Sequence, residues 1–162
     1  MVLPKSRHSA PIFQRDGQEA VALKRVRLGD DGHEGKEREQ FVQNLVHKHP
    51  EVIPMVDIEP AFAPLVSVCT ELPTEAGYLD NLWITPTGGI VLGECKLVKN
   101  PQARREVVVQ ALDYARAISN WRFEQLETAV RKALKSSDTK LWDFVSNEIT
   151  EPEFVDSIER RL

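Results

Sequence analysis

Two carboxylates and an amine, Asp80, Glu94 and Lys96, stand in stretches that are otherwise apolar. Asp80 interrupts Tyr78-Leu79-Asp80-Asn81-Leu82-Trp83-Ile84, and Glu94-Cys95-Lys96 follows Ile90-Val91-Leu92-Gly93. A charge inside an apolar strand is costly unless it is paired or bound. Alternation along an extended chain points Glu94 and Lys96 the same way and Cys95 the other. Two acids held close together repel one another. A hard divalent cation such as Mg²⁺, or Mn²⁺, relieves that repulsion, taking one or two carboxylates plus water and phosphate oxygens. The backbone carbonyl of Cys95 could add a further oxygen. Such an ion polarises a phosphoryl oxygen and acidifies water. Lys96 could then orient that water or offset charge developing on a phosphate. The chemistry these residue types suit is hydrolysis of a phosphodiester.

The elements that must bring these groups together are a hairpin and its neighbours. Tyr78–Thr85 and Ile90–Val98 read as strands on either side of the turn signal Pro86-Thr87-Gly88-Gly89. Register decides whether the acids meet. A simple four-residue turn pairs Thr85 with Ile90 and therefore Asp80 with Cys95, aiming Asp80 away from Glu94. A two-carboxylate centre requires an offset of one residue, a bulge or a bend, which Gly77 or Gly93 could permit. Leu65–Leu72 reads as a preceding strand closed by Pro73. Gly35–His49 reads as a helix with the apolar stripe Phe41, Val42, Leu45 and Val46, stopped by Pro50. After Asn100-Pro101, Val109, Leu112, Ala115 and Ile118 recur near helical period over Glu106–Trp121. Phe123–Leu134 continues as helix after a kink, and Leu141–Val145 and Pro152–Leu162 read as short helices. Phe41, Trp83 and Leu112 are expected in the core. Residues 1–30 read as a partly ordered arm with one strand in Ala20–Leu28, and residues 31–162 as one domain. The final amphipathic helix reads either as the end of the domain or as the point where the front part of a longer protein stops.

Bulk properties narrow the class. The chain has 162 residues, 41% hydrophobic and 28% charged, the balance of a globular domain with a real core. No run reaches the length of a membrane span, and the N-terminus lacks a secretory cleavage pattern, so a cytoplasmic location is expected. Cys69 and Cys95 are the two cysteines, in apolar contexts that suit buried free thiols. His33, His47 and His49 show no ligand spacing with them, which argues against zinc. The net charge of −4 argues against a surface that coats nucleic acid broadly. It does not argue against a local carboxylate centre.

On these residues the chain resembles the PD-(D/E)xK nuclease superfamily, whose core is similar to that of type II restriction endonucleases. Asp80 matches the first acid, and Glu94-Cys95-Lys96 matches the Glu-x-Lys element. Leu79 stands where the motif has proline. The resemblance covers roughly Gly35 to Ile118. The helix carrying Glu39, with Val42 and Leu45 on its apolar side, resembles a branch containing archaeal mismatch-type nucleases and uncharacterised restriction-like proteins. The resemblance implies an α/β fold with a mixed central sheet flanked by helices, and a further strand after Gln110 that the sequence does not display. It also implies that Glu39 supports the metal site, with Glu37 as its competitor, and that Gln110 faces the centre. DNA is then the expected substrate, with a homodimer and a further domain as open expectations.

Around such a centre Lys99, Arg104 and Arg105 could reach phosphates, and Tyr114 could stack on the Gln110 face, though each also fits an ordinary surface or core position. Arg116, Arg122, Arg131, Lys132 and Lys135 form a second basic set. Two rival readings remain at this stage. One is a catalytically silent module of the same fold that binds nucleic acid or assembles with proteins. The other is an interaction domain in which Glu94 and Lys96 form a structural ion pair.

Overall fold

The computed structural model describes residues 12–13, 16–17, 19–22, 35–96 and 101–162; the side chains of residues 12–13, 22, 35–37 and 101–104 lie outside that description. Two compact units divide between His33 and Glu34. In the first, β1 (Ile12–Phe13) and β2 (Val21–Ala22) pair antiparallel, with Phe13 opposite Val21. Only Val21–Ala22 of the strand expected over Ala20–Leu28 falls among the described strand residues.

The second unit is a small α/β domain with helices flanking a three-stranded antiparallel sheet. Its strands are β3 (Val66–Thr74), β4 (Gly77–Ile84) and β5 (Ile90–Gly93), in the order β3-β4-β5. The mixed sheet implied by the resemblance is not found among the described residues. The physical reason is connection length. Tight loops join β3 to β4 and β4 to β5, and tight loops reverse the chain, whereas a parallel strand needs a long crossover. After the Gln110 helix the described chain continues in helices and turns. β3 runs past the expected stop at Leu72, because Pro73 sits on an edge strand, where a missing N–H is tolerated. β5 ends at Gly93, earlier than Val98, and residues 97–100 lie outside the description.

Helix α1 (Gly35–Lys48) packs on β3 and β4, and α2 (Met55–Ile58) follows it. Pro50 ends α1 as expected, and Lys48 places positive charge at its C-terminal end. The apolar stripe does not face inward as a unit: Phe41 is 56% exposed and Leu45 41%. Buried Gln43 takes the inward position instead, and Ser67 Oγ donates to the His47 carbonyl at 2.5 Å. Those polar anchors set the rotation of the helix.

Helix α3 (Pro101–Ile118) likewise turns a different face inward. Tyr114 and Ile118, one turn apart, are buried, whereas Val109 and Leu112 stand exposed. Leu112 is therefore not a core residue. Burying the larger Tyr114 ring, whose hydroxyl donates to the Tyr78 carbonyl at 2.8 Å, wins over burying Leu112. The chain breaks after α3, and α4 (Phe123–Leu134) is a separate helix lying along β3. Phe123, Leu126, Ala129 and Val130 form its buried stripe. A 3-10 turn over Leu141–Phe144 leads to α5 (Glu151–Glu159), which Thr150 and Glu153 cap reciprocally. Phe154 of α5 meets the Phe123 ring edge-on at 6.2 Å. The core lies between the sheet and these helices, around Leu72, Leu79, Leu82, Ile84, Leu126, Leu141 and Ile158. Cys69 is buried, Cys95 is half-buried, and both are free thiols.

Candidate metal centre

Register places the two acids. In β4–β5 the partners are Ile84–Ile90, Trp83–Val91, Leu82–Leu92 and Asn81–Gly93. Continued one step past the last pair, where β5 has ended, that register sets Asp80 across from Glu94. This is the one-residue offset the two-carboxylate arrangement requires. The loop achieves it by holding five residues, Thr85 to Gly89. Thr85 N donates to Gly89 O at 2.9 Å and Gly88 N to Thr85 O at 2.9 Å, while Thr85 Oγ1 accepts from Gly89 N at 2.8 Å. At the other end of the hairpin Gly93 has no room for a side chain, because a Cβ there would enter the Trp83 ring. Trp83 is buried, as expected.

At the carboxylate end the backbone leaves the regular ladder. Asp80 Oδ2 accepts from the Cys95 amide at 2.6 Å, which draws the start of the Glu94–Lys96 segment toward β4. The Cys95 amide thus joins this residue to Asp80. The Cys95 thiol faces Asn81 Nδ2 at 3.7 Å, and burial pushes it up to about 11. Lys96 Nζ lies 3.7 Å from Glu39 Oε2 and 3.9 Å from Glu94 Oε1. Lys96 thus stands between Glu94 and the α1 acid Glu39. The competing Glu37 side chain lies outside the described residues.

The electrostatics follow from burial. The Glu94 side chain is 5% exposed, and its Oε2 is buried with no hydrogen-bond partner. Burial first, then repulsion from Asp80, pushes its carboxyl up to about 7, against the pull of Lys96. Asp80 is raised for the same first reason, and the Cys95 amide opposes the rise. The charges of Glu39 and Glu71 bear on both acids. Among the described residues no three His, Cys, Asp or Glu side chains stand so that they could hold a metal ion together.

Other expected residues fall in different places. Gln110 and Arg105 join Lys96, Glu106 and Val109 in lining a groove of about 620 Å³. Gln110 Oε1 is buried without a partner. Tyr114 is a core residue, 6% exposed, so its ring is not free to stack on a substrate. Lys99 and the Arg104 side chain lie outside the described residues. Arg116 and Lys132 line separate concavities around Trp121 and Glu75, and Arg131 binds Glu127 at 2.6 Å within α4.

Sequence reasoning missed Glu71 and Gln43. Gln43 Nε2 donates both to Glu71 Oε1 at 2.8 Å and to Asp80 O at 2.9 Å. Glu71 interrupts an apolar strand as Asp80 does, and Gln43 lies one turn after Glu39, so both signals were present in the chain. No family model, no curated protein and no solved structure matches this sequence.

Proposed function

We propose that this domain is a metal-dependent nuclease of the PD-(D/E)xK type, hydrolysing phosphodiester bonds in DNA. What supports the reading is the β4–β5 register, which continued by one step brings Asp80 across from Glu94, with the Lys96 ammonium 3.9 Å from Glu94. Two further features support it. A buried carboxylate oxygen without a donor is costly, and Glu94 Oε2 is one. A cation satisfies such an oxygen directly. The spacing of Lys96 also argues against a purely structural ion pair. Tight charge-assisted pairs close to about 2.7–2.9 Å, and Lys96 stands off both of its acids by 3.7 Å or more.

Asp80 and Glu94 would hold one Mg²⁺ or Mn²⁺, with Glu39 in support. Mg²⁺ needs only one or two carboxylates, because water and phosphate oxygens complete its shell; a cage of three side chains is not required. When bound, the ion polarises the scissile phosphate and acidifies water. The protein's own groups do the rest. The Cys95 amide fixes the direction of Asp80 Oδ2. Lys96 places a positive charge where negative charge gathers as water oxygen bonds to phosphorus and the ester P–O bond breaks. Arg105, exposed on the groove that Lys96 and Gln110 line, would meet a phosphate of the same strand.

Purified protein with mixed DNA and RNA substrates and Mg²⁺ or Mn²⁺ tests this. Cleavage should vanish with chelator. It should fall by about 10²- to 10³-fold or more in Asp80→Ala, Glu94→Ala and Lys96→Ala, with circular dichroism unchanged. Absence of product with every divalent ion and substrate rejects the reading.

A further inference from the structure

The geometry points to a docking surface on α2 and the turns beside it, for a segment of another protein that carries apolar side chains flanked by lysine or arginine. This surface stands apart from the metal centre and does not depend on it.

The sequence creates the surface. Pro50, Pro54, Pro60 and Pro64 divide residues 50–65 into short pieces, with 3-10 turns at Pro50–Val52 and Pro60–Phe62 and α2 between them. Pieces of three or four residues are too short to turn an apolar stripe toward a core. None of the three contains a buried residue. Val52, Val56 and Ile58 stand 53%, 67% and 64% exposed. Beside them lies a groove of about 480 Å³, lined by Ile53, Met55, Val56, Pro64 and Leu65, with Glu51 among them. Contiguous exposed apolar surface with a polar rim marks an interaction site. The backbone is already fixed. The Pro54 carbonyl accepts from the Asp57 and Ile58 amides at 3.0 and 3.1 Å, and the Glu59 amide donates to the Met55 carbonyl at 2.8 Å. With four prolines as well, little conformational freedom remains to be lost on binding.

Charge selects the occupant. Glu51, Asp57 and Glu59 are exposed around the apolar residues, and no lysine, arginine or histidine occurs from Pro50 to Cys95. His49, at the end of α1, lies 3.1 Å from Glu51. Among the described residues no ion pair ties Asp57 or Glu59. Basic groups flanking an apolar anchor are attracted to such a rim and steered toward it. Other occupants meet repulsion. Two copies joined through this surface about a two-fold axis would set acid against acid. Anionic lipid and nucleic-acid phosphates would face the same acids.

Selection of a random peptide library displayed on phage against the full chain tests this, with Val56→Ser and Asp57→Lys as variants. Both side chains are exposed, so both variants should melt with wild type. Enriched peptides should combine apolar residues with lysine or arginine. Their binding, read by fluorescence anisotropy, should weaken about 10-fold in Val56→Ser, the loss of one apolar side chain from the contact. It should weaken about 3- to 10-fold in Asp57→Lys, with the difference shrinking at high salt. Enriched peptides without basic residues, peptides that bind both variants as tightly as wild type, or no enrichment at all overturn the proposal. So does a wild-type dimer in sedimentation velocity that Val56→Ser dissociates, because the surface then takes a second copy of this chain.

Discussion

The two ends of the β4–β5 hairpin differ in kind. At the loop end polar groups are matched. Thr85 is 1% exposed, and its amide, carbonyl and hydroxyl all engage the loop. Ser157 of α5 donates to the Thr87 carbonyl at 2.6 Å, closing the loop against the final helix. The carboxylate end instead carries an unpartnered buried oxygen on Glu94, positive φ at Glu71, and acids crowded around one lysine. The comparison teaches that a well-satisfied region holds the register while the other end gathers the unmet polar groups and the strain on which the proposed function rests.

The largest effect expected from breaking this comparison comes at the loop. Gly88 has φ +77, and a Cβ there would sit 2.9 Å from Ser157 Cβ. Gly88→Val should cost about 3 kcal/mol or more, since it adds backbone strain to overpacking, and denaturant titration measures it. Thr85→Val is nearly isosteric but removes the hydroxyl that accepts the Gly89 amide. A loss of about 1–3 kcal/mol should follow. Mn²⁺ binding should weaken as well, because the five-residue loop sets the Asp80–Glu94 register. Unchanged Mn²⁺ affinity in a destabilised Thr85→Val would separate loop stability from site geometry.

At the carboxylate end the sign reverses. Glu94 titrates near 7 in the folded protein, above the ordinary value of 4.5. The folded state therefore holds this proton more tightly than the unfolded chain. The resulting stability is complete below pH 4.5 and is lost as pH rises through 7. Glu94→Gln should accordingly raise the metal-free melting temperature at pH 8, by at most about 3 kcal/mol of stability, and change little near pH 4.5. Saturating Mg²⁺ should stabilise wild type and leave Glu94→Gln behind. A Glu94→Gln protein less stable than wild type at pH 8 without metal would mean that the charge is already compensated. The smallest expected effect lies in the groove: Arg105→Ala should reduce DNA affinity modestly and flatten its salt dependence by about one charge, as fluorescence anisotropy across salt concentrations would report.

Much was legible in the chain because it depends on neighbours in sequence. Pro50 ends α1, Pro86 to Gly89 turns the hairpin, and the apolar runs around Asp80 and Glu94 form adjacent strands. Charged residues inside apolar strands marked the candidate site for the same reason: burial of a charge is exceptional wherever it occurs. Helix faces were less legible. Val109 and Leu112 fit helical period as well as Tyr114 and Ile118 do, and only the presence of an acceptor for the Tyr114 hydroxyl on β4 decides between them.

By itself, then, the sequence determined which charged groups interrupt apolar segments and which elements carry them, since residue type and local pattern are properties of the chain alone. Tertiary structure decided the hairpin register, the bond from the Cys95 amide to Asp80, and the link that Gln43 makes between Glu71 and the Asp80 carbonyl. Those outcomes turn on one hydroxyl in a loop and one carboxamide from a distant helix, and the energy of such contacts exists only once the chain has folded.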